Sequence, residues 1–365
     1  MGVFFDTGTQ VATGGFQGVG FVASKSYTGG SLPLNDSQFA FNTDPVAPYT
    51  GAVAYAFPKR LQPPYTLQWN VALQQALGKA QSLTISYVAA AGRRLLQNQL
   101  LSINSQNPNF DQVLYFPGGV TSNYQALQLQ FQRSVSPGLQ ALGSYTWSHS
   151  LDFGSSSSSF PLNYGNSSFD VRHNFQGGLT WDLPKRQASH LLSSLINDWA
   201  VDGRMIAHTA FPVTLTGNTL TDSNGSLYYS GVDYDSSKPL YLYDSRYPGG
   251  RIINGGPSVS SPAFTLPKGA SGGNAPRNFV RGFDAIQLNT ALRKDFHPTD
   301  HFNIQFRAEA FNVLNHPIFG YINPTLTNAQ FGQTTMMLNQ SLGTMSSLYQ
   351  QGGNRSMQFA LKFRF

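Results

Sequence analysis

The sequence contains no cysteine among its 365 residues. A disulfide framework, a thiolate metal site and a cysteine nucleophile are therefore excluded. It also lacks the continuous apolar run of about 18 residues that a transmembrane helix requires. The residues that follow Met1, Gly2 to Asp6, lack the basic start that an export signal is expected to have.

Charged side chains are scarce, since only 11% of the residues are Asp, Glu, Lys or Arg, against about 25% in soluble domains. The mean hydropathy is nevertheless -0.23, because uncharged polar residues are abundant. The 23 Lys and Arg residues do not cluster into the basic face that nucleic-acid binding needs, so no nucleic-acid partner is expected. This composition favours a wall with lipid on one side and water on the other.

Apolar and polar residues alternate with a period of two in ten segments. The clearest is Ser356–Phe365, where every second residue is apolar. Because side chains on a strand point alternately to two faces, this segment predicts an amphipathic strand, and about 9–11 tilted residues cross a bilayer. The other candidate strands are Gly2–Asp6, Leu67–Leu73, Leu83–Ala89, Leu127–Gln132, Leu139–Ser148, His173–Asp182, Trp199–Thr209, Ile286–Arg293 and Phe302–Glu309.

The connections between these segments alternate in length. The short ones are Leu77–Gln81, Ser134–Gly138, Leu183–Asp198 and Lys294–His301. The long ones are Thr7–Tyr65, Ala91–Asn123, Leu151–Arg172, Ala210–Phe283 and Val313–Arg355. Outer-membrane barrels have short periplasmic turns and long extracellular loops. The sequence therefore predicts an all-β protein, a transmembrane antiparallel β-barrel of about ten strands, as part of a larger barrel. A soluble β-sandwich or propeller is the less favoured alternative.

Several motifs resemble the TonB-dependent outer-membrane receptors of the Oar-like type, in the order in which they occur in that family. The most specific is Phe306–Asn312, which is followed by Asn315-His316-Pro317 and Phe319-Gly320. The other matching segments are Pro64–Asn70, Ile85–Leu95, Tyr124–Phe131, Gly138–Ser150, Phe169–Phe175 and Gln358–Phe365. The resemblance covers most of the chain.

This resemblance implies a barrel of about 22 strands, plugged by an N-terminal domain. It also implies uptake of a ligand too large for porins, energised by the TonB complex, in the bacterial outer membrane among lipid and lipopolysaccharide. Residues 1–365 are interpreted as the C-terminal part of the barrel. Because the plug domain and the N-terminal strands are missing, the TonB complex would act only through an absent plug. We expect a fragment or a truncated form of such a receptor.

Two functions from other classes stay open at this point. The first is a self-contained small outer-membrane barrel that acts as a passive pore or adhesin. The second is a soluble carbohydrate-binding β-protein. The sequence contains neither an HExxH pair nor a P-loop, and neither an enzyme nor a cofactor or metal ion is expected.

Two groups of aromatic residues are candidate sites. Five tyrosines between residues 210 and 283 are interleaved with aspartates and could contact an external ligand, although a variable solvated loop is the favoured interpretation: Tyr228, Tyr229, Tyr234, Tyr241 and Tyr243. The C-terminal aromatics Phe359, Phe363 and Phe365 resemble the signal that the barrel-assembly machinery recognises. An ordinary lipid-facing strand end is the alternative for these three.

Charged residues have two expected positions. Arg172 is expected to pair with Asp170 at the rim of the barrel. An arginine that faces lipid near the midplane costs about 2–4 kcal/mol. The charged residues of the late strands are therefore expected to face the lumen: Arg293, Arg307, Glu309, Lys362 and Arg364.

Overall fold

A computed structural model describes residues 1–6, 47–97, 99–103, 106–134, 138–154, 164–187, 189–221, 227–268, 272–299, 302–338 and 353–365. The strands are β1 (Gly2–Phe5), β2 (Tyr49–Ala56), β3 (Tyr65–Ala76), β4 (Gln81–Leu95), β5 (Gln99–Ser102), β6 (Phe110–Tyr115), β7 (Val120–Ser134), β8 (Leu139–Asp152), β9 (Gly165–Asn166), β10 (His173–Asp182), β11 (Trp199–His208), β12 (Pro212–Val213), β13 (Thr219–Thr221), β14 (Leu227–Tyr229), β15 (Asp233–Tyr234), β16 (Tyr241–Tyr243), β17 (Arg251–Ile253), β18 (Phe264–Thr265), β19 (Val280–Arg281), β20 (Ala285–Thr299), β21 (Phe302–Phe311) and β22 (Ser356–Arg364). The α-helix α1 is His190–Ile196, and a 3-10 turn covers Pro248–Gly250.

Ten strands form one large sheet in the order β1-β3-β4-β7-β8-β10-β11-β20-β21-β22, and β9 pairs with β8. Consecutive strands of this sheet are antiparallel. The ten predicted segments correspond to these ten strands, so the predicted strand set is confirmed. Within the described residues no pairing joins β1 to β22, and the sheet has two free edges there.

The two faces of the sheet differ in polarity, as the alternation predicts. On β22 the apolar face is exposed, with Phe359 at 66% and Leu361 at 56% of their full surface. Leu361 lies opposite Phe306 on β21, and Ala360 lies opposite Arg307. The apolar face therefore continues from strand to strand, which is the arrangement of a wall that faces lipid on one side.

Two interpretations of the connections are corrected by the structure. Lys294–His301 was predicted as a turn, but β20 continues to Thr299, which pairs with Phe302. The prediction was wrong because Pro298 does not end the strand but lies where the register between β20 and β21 shifts, between Phe296 and Thr299. Ala91–Asn123 was predicted as a loop, but it contains β5 and β6, and β6 pairs in parallel with β2.

The described parts of the connections from β11 to β20 and from β21 to β22 pack together into what we call the loop layer, residues 210–221, 227–268, 272–283 and 313–338. Its buried side chains come from both connections and include Leu215, Val232, Ile253, Ala263, Phe264, Val280, Ile322, Leu326 and Phe331. Phe264 is 1% exposed and Val280 is fully buried. The interpretation of Ala210–Phe283 as a solvated loop was therefore wrong, because the apolar partners from 313–338 are distant in sequence.

Helix α1 lies in the short connection between β10 and β11. No helix in the described part of the chain is both long and apolar enough to cross a membrane.

Candidate functional site

The polar face of the sheet lines a cavity of about 890 Å³. Its walls come from six adjacent strands, β7, β8, β10, β11, β20 and β21. Polar lining residues include Gln132, Gln140, Gln176, Arg204, Gln287 and Asn289. These side chains alternate with the lipid-facing ones, so the lumen surface follows directly from the period of two.

A network of charged residues lies on the lumen face, centred on Asp202 of β11. The Asp202 carboxylate lies 3.3 Å from the Arg307 guanidinium and 3.7 Å from that of Arg293. It also accepts a 2.9 Å hydrogen bond from the Thr180 hydroxyl. Arg307 in turn donates a 2.7 Å hydrogen bond to Glu309. Strand pairing brings these residues together, because β20 lies between β11 and β21.

The structure places the charged residues of the late strands on the polar face of the sheet, as the alternation predicts. Arg307 and Glu309 lie on the cavity wall. Arg293 pairs with Asp182 at 3.4 Å on the same face. On β22, Lys362 lies opposite Gln305 and Arg364 lies opposite Asn303. Lys362 and Arg364 alternate along the strand with the lipid-facing Leu361 and Phe363.

A second cluster, which we call the Asp170 cluster, joins the rim of the sheet to the loop layer. Asp170 is 1% exposed. Its carboxylate accepts hydrogen bonds from Arg172 Nε at 3.0 Å and from the Ser150 backbone N–H at 2.8 Å. Arg281 donates to the Asp170 carboxylate and also to its backbone carbonyl oxygen. The predicted pair of Arg172 with Asp170 is therefore confirmed.

The electrostatics of this cluster favour a charged carboxylate. Burial alone would raise the pKa of Asp170. The hydrogen bonds from the Ser150 N–H, Arg281 and His149, together with the charge of Arg172, outweigh burial and hold the pKa of Asp170 below its usual value. A buried carboxylate with several donors is anionic at neutral pH.

Residues next to Arg281 make a further connection between two loops. Arg277 pairs with Asp152 at the end of β8. The Asn278 side chain donates to the Asn166 carbonyl oxygen at 2.8 Å and to the Ser168 hydroxyl at 3.2 Å. Asn278 has a φ of +57° and is 1% exposed, so its backbone conformation and its buried amide are both fixed by these contacts.

The five tyrosines of the candidate ligand site do not lie in one group. Tyr234 stacks on Phe264 with ring centroids 5.2 Å apart, in the core of the loop layer. The Tyr241 hydroxyl donates to the Arg281 carbonyl oxygen at 2.8 Å, and burial raises the pKa of Tyr241. Tyr228 and Tyr229 are on β14, where Tyr229 is 42% exposed, and Tyr243 is 74% exposed.

The sequence matches the outer membrane beta barrel domain family over residues 1–358. The chain belongs to this family of outer-membrane β-barrel proteins. The barrel is therefore a bacterial outer-membrane protein, and the predictions of fold and location are confirmed.

Solved structures of outer-membrane receptors resemble the barrel at low sequence identity. The ferric-catecholate import receptor Fiu from E. coli K12 is 11% identical with a TM-score of 0.42, covering 95% of this chain and 31% of the receptor. The outer membrane transporter YddB from Escherichia coli is 10% identical with a TM-score of 0.45, covering 84% and 34%. The pyoverdine receptor FpvA from Pseudomonas aeruginosa is 9% identical with a TM-score of 0.41, covering 84% and 30%.

This chain spans about a third of the length of these three receptor chains. No curated protein matches the barrel in sequence.

The aromatic residues of β22 lie at the edge of the barrel's lipid-facing surface. Phe359 is 66% exposed, Phe363 50% and Phe365 97%. The ring of Phe302 on β21 lies 6.2 Å from that of Phe363 and 5.3 Å from that of Phe365. These contacts form an aromatic cluster where β21 begins and β22 ends.

Sequence reasoning missed two important residues of the barrel. Asp202 falls on the polar face of β11, so the alternation of that strand contained a signal that could have found it. Arg281 had no such signal, because it lies in a long connection and its partner Asp170 is 111 residues away.

Proposed function

We propose that this barrel is the C-terminal wall of a TonB-dependent receptor that takes up a ligand too large for porins. The observation that carries the proposal is the combination of a polar, charge-paired lumen face with an ordered loop layer above it. A receptor needs a wide polar interior and an outer surface with a fixed shape for ligand capture. The ordered family motifs, such as Phe306–Asn312, support the same assignment.

The loop layer supports capture of a ligand more than simple passage. Nine buried side chains form the core of the loop layer, and the Asp170 cluster attaches the layer to the rim of the sheet. A surface that is held in this way can keep a binding shape, whereas a passive pore needs only an open entrance. The free edges of β1 and β22 in the described residues also favour a part of a larger wall over a self-contained small barrel.

We propose that the external ligand contacts the two exposed members of the five tyrosines that the sequence indicates. Tyr229 and Tyr243 offer their rings to solvent, and aromatic faces can stack on rings or bind cations. Tyr234 and Tyr241 support that surface from within, because their rings pack in the loop layer. Tyr228 lies opposite Leu220 in the hairpin of β13 and β14.

Assembly of the wall is proposed to use the C-terminal aromatics. The barrel-assembly machinery would bind Phe359, Phe363 and Phe365 before the last strand is inserted into the membrane. Membrane lipid and lipopolysaccharide would then surround the apolar face.

Cross-linking in cells that produce the protein from its own gene tests this function. After formaldehyde treatment, an antibody against the loop layer is expected to recover TonB together with the polypeptide that carries this barrel. An abundant porin of the same cells, precipitated in parallel, is the control and is expected to recover none. If TonB is absent and the purified protein conducts ions steadily in a planar bilayer, the passive pore is the correct function.

A further inference from the structure

Helix α1 presents an apolar face that the described part of the chain leaves uncovered. Leu192 is 50% exposed, Leu195 63% and Ile196 38%. These residues are three and four positions apart, so they lie on one face of the helix. A helix on a soluble domain turns such a stripe toward a core. The exposed apolar face of α1 therefore indicates contact with an apolar environment other than the core of the protein.

The helix is held on the lipid side of the sheet. Trp199 Nε1 donates a 2.8 Å hydrogen bond to the Leu195 carbonyl oxygen. Lys294 Nζ donates to the Asn197 carbonyl oxygen, which follows the helix. Trp199 and Lys294 lie opposite each other on β11 and β20, on the face that also carries Leu292. The end of α1 thus adjoins the lipid-facing surface.

Asn197 fixes the orientation of the helix. Its side-chain oxygen accepts a 2.7 Å hydrogen bond from the Arg186 backbone N–H. Its side-chain nitrogen donates to the Arg186 carbonyl oxygen at 2.9 Å and to the Ser193 hydroxyl at 2.7 Å. Asn197 is 7% exposed. Because both ends of the connection are tied to one buried amide, the apolar face of α1 has a defined direction.

The surroundings of α1 have the chemistry of a membrane interface. Lys294 Nζ lies 4.9 Å from the centroid of the Phe296 ring and 5.7 Å from that of Trp199. Aromatic rings are enriched at the boundary between lipid and water. Arg186 and Lys185 are exposed before the helix, and Lys185 pairs with Asp198 at 2.7 Å. Basic side chains near a membrane surface attract the anionic groups of lipids.

We propose that α1 is an interfacial lipid-binding helix of the periplasmic leaflet. Leu192, Leu195 and Ile196 insert among the first carbons of the phospholipid acyl chains, and the Arg186 guanidinium contacts phosphate groups. Phospholipid is the occupant because the apolar face is continuous with the lipid-facing surface at Trp199 and Phe296. The proposal depends on the outer-membrane location of the family and not on TonB-dependent uptake.

The absence of cysteine from residues 1–365 makes a direct test possible, because a thiol introduced there has no competitor in this part of the polypeptide. The variant Leu195→Cys is labelled with the fluorophore NBD and placed in nanodiscs of phosphatidylethanolamine and phosphatidylglycerol. Leu361→Cys on β22 is the control for a lipid environment. Tyr243→Cys, in the loop layer, is the control for water. Heat-modifiable migration of each variant confirms that it has folded.

Quenching by two reagents distinguishes the outcomes. We expect phospholipids with a doxyl group near the headgroup to quench NBD at position 195 at least twofold more than iodide does. Stronger quenching by iodide, as expected at position 243, would overturn the proposal. Protection from both quenchers would also overturn it, because a protein surface would then cover the helix.

The charge contribution is tested separately with Arg186→Gln in the Leu195→Cys background. Raising the fraction of phosphatidylglycerol is expected to increase lipid quenching with arginine present and to have a smaller effect with glutamine. An equal response of the two proteins would reject the phosphate contact.

Discussion

Arg281 binds Asp170 twice, through its carboxylate and through its backbone carbonyl oxygen. Arg281 belongs to the loop layer, whereas Asp170 lies between β9 and β10 at the rim of the sheet. The same guanidinium also donates to the Ala210 carbonyl oxygen at 3.3 Å. This ion pair therefore attaches the loop layer to the rim of the sheet.

Asp170→Asn is expected to loosen the attachment of the loop layer without unfolding the sheet, because Arg277 still pairs with Asp152. Removing one partner of a buried ion pair costs about 3–5 kcal/mol, because the remaining charges lose their compensation. Digestion by trypsin within residues 210–283 should become faster, while heat-modifiable migration of the barrel is retained. Asp244→Asn is the matched control, since Asp244 pairs with Arg246 at a solvent-accessible position, where an ion pair contributes little to stability. Equal digestion of the two variants would contradict the prediction.

The same carboxylate predicts an acid-dependent loosening of the loop layer. The pKa of Asp170 in the folded protein lies below the reference value of 3.8. A carboxylate of this kind stabilises the folded state above its unfolded pKa, and that stability is lost as the pH falls through the folded pKa. Hydrogen-exchange protection in 210–283 is therefore expected to be constant down to a pH near 3.8 and to decrease below it. Asp170→Asn should not show this step, and an identical profile in that variant would argue against Asp170.

The fold of the loop layer also depends on a close backbone approach at Gly332. Its φ is +72°, and a Cβ added there would lie 2.7 Å from both the nitrogen and the carbonyl oxygen of Ile253. Gly332→Ala is expected to destabilise the layer by about 1–3 kcal/mol through the left-handed backbone conformation alone. The close contact of the added Cβ with Ile253 increases this cost. Gly272→Ala is the control, because an added Cβ there meets nothing within 4 Å. Each variant is heated in steps and treated with protease, and the temperature at which half of the loop layer is digested is compared. Similar midpoint temperatures for the two variants would contradict the steric argument.

The wall of the barrel could be predicted from the sequence because the alternation that defines each strand lies within a few consecutive residues. Each strand repeats every two residues, so Leu361 and Lys362 already indicate opposite faces. The loop layer lacks such a repeat, since Phe264 and Val280 meet partners such as Phe331 from another connection. Helix α1 was missed because its seven residues are too short for a helical period to be recognised. Loops and turns were therefore predicted less well than strands.

The register of the last strand is open to a direct measurement. Spin labels attached to Leu361→Cys and Lys362→Cys should report opposite environments in nanodiscs. The first should be more accessible to oxygen, which concentrates in lipid, and the second to a water-soluble nickel chelate. This follows from the pairing of Leu361 with Phe306 and of Lys362 with Gln305. If the two labels exchange these accessibilities, the assignment of the faces is wrong.

Phe365 is expected to act in assembly and not in the stability of the finished barrel. Its ring is 97% exposed and stacks on Phe302 at 5.3 Å, so its removal takes little packing from the folded state. Phe365→Ala should therefore refold into vesicles as well as the parent protein. In cells it should yield several-fold less heat-modifiable barrel in the outer membrane, because the assembly machinery would lose the terminal aromatic.

Met357→Ala provides the matched control for this last experiment. Met357 lies on the same face of β22 and is 64% exposed, but it is at the opposite end of the strand. It should behave like the parent protein both in cells and in vesicles. Failure of Phe365→Ala to refold in vesicles would assign Phe365 a packing role instead. Normal assembly of Phe365→Ala in cells would show that the machinery does not depend on this ring.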